Sequence, residues 1–84
     1  MKPVKIYTTT YCPYCKRAKA LFDALAVSYE EINVEDDAEL RAEMADKYHW
    51  QTVPMIVIGD EFIGGFDDLA QLQASGELTK KLAD

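Results

Sequence analysis

The change of hydrophobic rhythm around Cys12 constrains this chain more than any other feature. Before it, Val4, Ile6 and Thr8 alternate with Lys5 and Tyr7. That β-branched, period-two pattern predicts a strand over about residues 3–9. After it, Ala18, Leu21, Phe22 and Leu25 recur at i, i+3, i+4 and i+7, one buried helical stripe with Lys16, Lys19 and Asp23 outside it. Pro13 falls at the first helical position, where its missing N–H costs nothing, so Cys12 lies at or beside the N-cap. The only two cysteines, Cys12 and Cys15, therefore sit one helical turn apart at a strand-to-helix junction.

The rest of the chain continues the alternation of elements. Val27 to Val34 reads as a second strand, with Val27, Tyr29, Ile32 and Val34 as core contacts. Glu35, Asp36 and Asp37 place negative charge at the start of a helix over about 37–48, whose inner face carries Leu40, Met44 and Tyr48. His49 to Pro54 forms a loop. Met55-Ile-Val-Ile58 is an apolar strand, and Glu61-Phe-Ile63 returns after Gly59-Asp60, a two-residue hairpin signal. Gly64-Gly65 breaks the chain again. Asp67 or Asp68 caps a third helix that points Leu69 and Leu72 inward and stops at Gly76, and Leu78 and Leu82 mark a last short helical segment. The order β-α-β-α-β-β-α predicts an α/β domain spanning residues 1–84. Its first two strands are parallel and its last two form an antiparallel hairpin, in a four-stranded mixed sheet.

Bulk properties remove several function classes. A net charge of −6 argues against nucleic acid as a partner, because phosphate backbones demand clustered Lys and Arg. No run approaches the ~20 apolar residues of a membrane span. No signal-peptide apolar region follows Met1, so an intracellular, cytoplasmic location is expected if Met1 is the native start. In a reducing compartment two cysteines are catalytic or metal-binding rather than structural. A closed zinc site needs four ligands, and beyond the pair the chain offers one His and no further Cys, so no metal is expected. A disulfide closing so short a loop also contributes little through chain entropy.

A dithiol in this setting suits redox exchange. The N-terminus of a helix presents unpaired N–H donors and the positive end of the dipole, and both stabilise a thiolate. Cys12 is thereby the candidate nucleophile. Cys15, shielded inside the first turn, is placed to resolve a mixed disulfide.

Three separated stretches carry a family resemblance. Cys12-Pro-Tyr-Cys15 after the first strand, Thr52-Val53-Pro54 before the third and Gly64-Gly65-Phe66-Asp67-Asp68 after the fourth together resemble a glutaredoxin of the dithiol class. The match runs from about Val4 to Leu82, and the element order is similar to that family's thioredoxin fold. Taken alone, Pro54 is an ordinary strand opener, Gly64-Gly65 a turn and Asp67-Asp68 a helix cap. The resemblance adds roles to them. It implies a cis Val53–Pro54 bond and main-chain pairing of Val53 with the cysteinyl unit of glutathione. It also implies that the Gly65–Asp67 turn takes the γ-glutamyl group, its carboxylate on the backbone of Phe66 and Asp67 and its ammonium on the Asp67 side chain. Tyr14, Gln51, Thr52 and Pro54 complete the expected groove.

The implied activity is glutathione-dependent reduction of protein disulfides and of glutathione mixed disulfides, by a monomer supplied through glutathione and its reductase. Two departures stand out. Thr9 occupies a position where many relatives carry Lys, and His49-Trp50-Gln51 precedes Thr52 where many carry Arg. They favour a rival reading, a glutaredoxin-like electron donor reduced by thioredoxin reductase and serving, for example, ribonucleotide reductase. A reading of another class is a [2Fe–2S] protein using Cys12 and glutathione across a dimer, which is commoner in relatives with one active cysteine.

Overall fold

The chain folds as β1 (Val4–Thr8), α1 (Pro13–Ala24), β2 (Glu30–Asn33), α2 (Ala38–Tyr48), β3 (Met55–Ile58), β4 (Glu61–Gly64), α3 (Phe66–Ser75) and α4 (Glu77–Leu82). This computed structural model describes residues 1–83; Asp84, included in the expected domain span, lies outside the described residues. The sheet order is β2-β1-β3-β4, with β1 parallel to β2, β1 antiparallel to β3 and β3 antiparallel to β4. Ile58 pairs with Glu61 across Gly59-Asp60, which is the expected two-residue hairpin.

Strand alternation divides the core between the two faces of the sheet. Val4, Ile6, Ile56 and Ile58 pack with Ala18 and Phe22 of α1, Leu69 of α3 and Leu78 of α4. Tyr7, Met55 and Val57 face the other way, against Met44 of α2. All four residues of β3 are buried, as befits a central strand covered on both faces. Fully buried side chains such as Phe22 and Ile6 each contribute roughly 1.5–3 kcal/mol through removal of apolar surface from water.

Three expectations need correcting. Leu25, assigned to the buried stripe of α1, is 37% exposed. The helix ends at Ala24 and turns through Ala26 at φ 57, where Val27 N–H donates to Phe22 O at 2.9 Å and Ala26 N–H to Asp23 O at 3.1 Å. That Schellman-type end carries Leu25 past the stripe and folds Val27 back into the core. The same turn shortens the second strand to Glu30–Asn33, since Val27 is buried as part of the helix end rather than through pairing with β1. Tyr29 packs on Phe22, ring centroids 6.0 Å apart. Finally, α3 begins at Phe66 with Gly65 as its N-cap, so Asp67 and Asp68 lie inside the first turn. Asp68 reaches back to accept the Gly65 N–H at 3.1 Å, and that bond starts the helix earlier than an Asp cap would.

Candidate active site

Cys12 is the N-cap of α1, with extended backbone angles and Pro13 directly after it. The main-chain N–H of Cys15 donates to Cys12 Sγ at 3.1 Å, so the sulfur takes the place that a Ser or Asp oxygen fills in an ordinary cap. Both cysteines are free, and both are buried, Cys12 at 8% and Cys15 at 1% exposure. Burial, followed by the hydrogen bond with Cys12, pushes the Cys15 thiol up to about 12, against smaller opposing effects from the Thr9 backbone and Lys19. The two sulfurs are thus unequal: one caps the start of a helix, and the other is held in its protonated form.

The loop entering this cap is tied to β2. Thr10 N–H donates to Glu35 Oε1 at 3.1 Å, and Asn33 Nδ2 donates to Thr10 Oγ1 at 3.2 Å. Beneath the cysteines, the buried Thr8 hydroxyl donates to Glu31 Oε2 at 2.8 Å, and Lys19 Nζ meets the same oxygen at 2.9 Å. Lys19 and then Thr8 hold the Glu31 carboxyl below its usual range, while Glu31 raises Lys19. Lys19 is therefore spent on Glu31.

A groove of about 540 Å³ opens beside Cys12, between the loop before β3 and the start of α3. Tyr14, Thr52, Val53, Pro54, Gly65, Phe66 and Asp67 all line it, together with Trp50 and Asp68. The Val53–Pro54 bond is cis, and the Cys12 thiol donates to the Val53 carbonyl at 3.5 Å. Tyr14 and Phe66 face each other with ring centroids 6.3 Å apart, and the Arg17 guanidinium lies 5.2 Å from the Tyr14 centroid. Of the expected glutathione contacts, Gln51 alone stays apart: it is exposed and outside the groove lining, whereas Cys12, also outside the lining, reaches it through the Val53 carbonyl.

Gly64 and Gly65 form the far corner. Gly64 has φ 121, and a Cβ there would lie 2.5 Å from Asp68 Oδ2, so only glycine fits. The main-chain N–H groups of Phe66 and Asp67 occupy the first turn of α3, where helix geometry provides no internal acceptor. Among the described residues, no group of three or more His, Cys, Asp or Glu is arranged to hold a metal ion.

Comparison with known proteins decides the lineage. A family model described as glutaredoxin matches residues 4–63. The chain belongs to the glutaredoxin family. It is 48% identical over 83 residues to a glutaredoxin of Pseudomonas aeruginosa, covering 99% of each chain. It is 46% identical over 78 residues to glutaredoxin 3 of Escherichia coli, covering 93% of this chain and 94% of that one. A buckwheat glutaredoxin–glutathione complex superposes with a TM-score of 0.90 at 32% identity, covering 96% of this chain and 76% of the other. The glutaredoxin assignment brings with it the thioredoxin fold and glutathione-dependent thiol–disulfide oxidoreductase activity.

Two residues of this glutaredoxin's groove were not among the sequence candidates. Asp68 was read as a helix cap and as part of the family motif, without a place in the groove; its spacing of three residues after Gly65 is the available signal. Trp50 entered the sequence reading only within His49-Trp50-Gln51, the stretch where many relatives carry Arg. It packs edge-on to Phe62 with centroids 5.4 Å apart, and it also lines the groove.

Proposed function

We propose that Cys12 is the nucleophile of this glutaredoxin, Cys15 its resolving thiol and the adjoining groove the seat of the glutathionyl group. The observation that carries this reading is the position of Cys12 Sγ between the Cys15 N–H at 3.1 Å and the carbonyl of Val53, a residue of the groove wall, at 3.5 Å. In the first step the Cys12 thiolate attacks one sulfur of a disulfide. The old S–S bond breaks, the leaving thiolate takes a proton from water, and Cys12 is left in a mixed disulfide. A glutathione thiolate then attacks the glutathionyl sulfur, releasing oxidised glutathione and restoring Cys12. When Cys12 is instead joined to a protein, Cys15 attacks Cys12 Sγ, expels the protein thiolate and closes the intramolecular disulfide, which two glutathiones reduce.

The geometry supports this order of events. The Cys15 N–H that caps the Cys12 sulfur stabilises it as an anion, both when it attacks and when it leaves. Two of the three influences that raise Cys15, its hydrogen bond to Cys12 and the charge interaction with it, vanish once Cys12 is a disulfide sulfur. Cys15 is thus freed of part of its restraint at the step where it must attack. In the groove, Val53 suits pairing with the cysteinyl main chain, while the first-turn N–H groups at Phe66 and Asp67 suit a carboxylate and the Asp67 side chain an ammonium. Tyr14, Thr52, Pro54 and Gly65 form its walls, and Gln51 acts from outside them.

Glutathionylated and disulfide-bonded proteins are the substrate class. Ribonucleotide reductase is a candidate acceptor, supported by the family resemblance alone. We assign the chain to the cytoplasm as a one-domain monomer, a reading supported by the family resemblance and by a dithiol that suits a reducing compartment. Paired substitutions test the roles. Cys12→Ser should abolish all exchange, whereas Cys15→Ser should spare deglutathionylation and lose reduction of protein disulfides. Equal losses in both variants would refute the division of labour.

A further inference from the structure

We propose that Lys19 is a positioning residue for the resolving step, its ammonium fixed beside the buried Cys15 sulfur so that this thiol can carry negative charge where water does not reach it. The inference deepens the reading of Cys15 as the resolving thiol and rests on it. Lys19 stands four residues after Cys15 in α1, one helical turn along the same face, which puts the two Cβ atoms ~5–6 Å apart. The Lys19 side chain turns toward the sheet: its Nζ meets Glu31 Oε2 of β2 at 2.9 Å, and the buried Thr8 hydroxyl of β1 donates to the same oxygen at 2.8 Å. The ammonium therefore has a fixed place between α1 and the sheet. Lys16 and Arg17, the cations next to Cys15 in the sequence, are exposed, and Arg17 lies over the Tyr14 ring.

Burial opposes the charge that Cys15 must carry. In closing the disulfide, Cys15 loses its proton to water and its sulfur attacks Cys12 Sγ. The bond from Cys12 to the substrate sulfur breaks, with the electron pair on the leaving thiolate. In reopening it, a glutathione thiolate attacks Cys12 and the pair departs on Cys15. Both passages need an anion at a site only 1% exposed. The groups facing that sulfur are Cys12, the Thr9 main chain and Lys19. Once Cys12 is a disulfide sulfur, Lys19 is the charged one that favours the anion. Lys19 in turn faces Glu31 and Tyr29, with Asp23 beside Tyr29, and Glu31 above all raises it, so its own proton stays in place throughout. It acts as a fixed charge and transfers no proton. Glu31 holds the ammonium without cancelling its effect, because Lys19 still pulls the Cys15 thiol down with the ion pair formed.

The test is stopped-flow kinetics of the full, reduced chain with dithiodipyridine, a neutral disulfide. The Cys12 thiolate takes one thiopyridyl group and releases a first thiopyridone; Cys15 then displaces the second and closes the disulfide. Lys19→Gln breaks only a partly exposed ion pair, so the variant folds. It should slow the second release about threefold or more near neutral pH, moving the pH midpoint of that phase up by about half a pH unit. Lys19→Arg, which keeps the charge, should stay within about twofold of the parent. Glu31→Gln breaks the same ion pair but leaves the ammonium and an amide oxygen to hold it, so it should close as fast as the parent or faster. A second phase unchanged in Lys19→Gln, or slowed equally by Lys19→Gln and Glu31→Gln, would overturn the inference and leave the role of Cys15 intact. A parent chain that releases only one thiopyridone would overturn the role of Cys15, and the inference with it.

Discussion

The main-chain N–H of Cys15 donates to the sulfur of Cys12 across 3.1 Å, so the first cysteine of the pair caps the backbone of the second, whose own thiol stays buried. One turn of helix thereby makes two chemically different thiols. Their difference has a measurable pH signature. Cys15 is raised from 9.0 to about 12, by burial first and the Cys12 hydrogen bond second. A thiol raised in the folded state stabilises the fold fully below its unfolded value, and that stabilisation is lost as pH climbs from 9.0 towards about 12. Iodoacetamide near neutral pH should therefore modify Cys12 alone in the folded, reduced chain and both cysteines after denaturation, as read by mass spectrometry. Equal labelling of Cys15 in the folded chain would contradict this assignment. Above pH 9 the reduced protein should also lose stability more steeply than a Cys15→Ser variant.

At the far corner of the groove, Gly64 is the residue least open to change. An added Cβ would stand 2.5 Å from Asp68 Oδ2, at a φ of 121 that side chains avoid. Gly64→Ala should cost about 2 kcal/mol or more in urea unfolding. It should also raise the KM for glutathione mixed disulfides, because displacing Asp68 releases the Gly65 N–H that organises the start of α3. The double variant with Asp68→Ala should recover part of the stability, since the clashing carboxylate is gone. A Gly64→Ala chain as stable as the parent would show that the corner yields freely.

The Thr8–Glu31–Lys19 cluster ties β1, β2 and α1 together. Glu31 is lowered, by Lys19 first and Thr8 second, so its contribution is present above the unfolded carboxylate value and lost as pH falls through the folded one. The Glu31 side chain keeps 35% of its exposure, so solvent screens much of the interaction. Glu31→Gln should therefore cost only about 0.5–1 kcal/mol at pH 7. The difference should shrink as pH is lowered through the folded carboxylate value, below which both chains carry a neutral group. Urea midpoints of the two proteins on either side of that value decide it, and a difference that persists at the lower pH would assign the effect to shape rather than charge.

Local chemistry made much of this molecule legible in advance. Pro13 after Cys12 marks a helix start because the ring suits that position alone, and the all-apolar Met55–Ile58 run marks a strand covered on both faces. Gly59-Asp60 announced its hairpin for the same reason. Where a residue serves a neighbouring element, the reading slipped. Val27 was assigned to β2 but closes the end of α1, and Asp68 was read as a cap but acts from inside the helix on Gly65. The approach of Val53 to Cys12, 41 residues apart, was open only to family resemblance, because no local pattern encodes so distant a contact. Trp50 was half legible: its packing on Phe62 follows from its size, whereas its place in the groove depends on the bend before Pro54. The Lys19–Glu31 pair left no trace in the sequence, since either residue alone reads as solvated surface.

The central claim is that glutathione reduces this dithiol. NADPH consumption, followed with the purified chain and a mixed disulfide substrate, tests it in two arms: glutathione with glutathione reductase, and thioredoxin reductase without glutathione. The account predicts turnover in the first arm, lost on Cys12→Ser. Turnover confined to the second arm would contradict it.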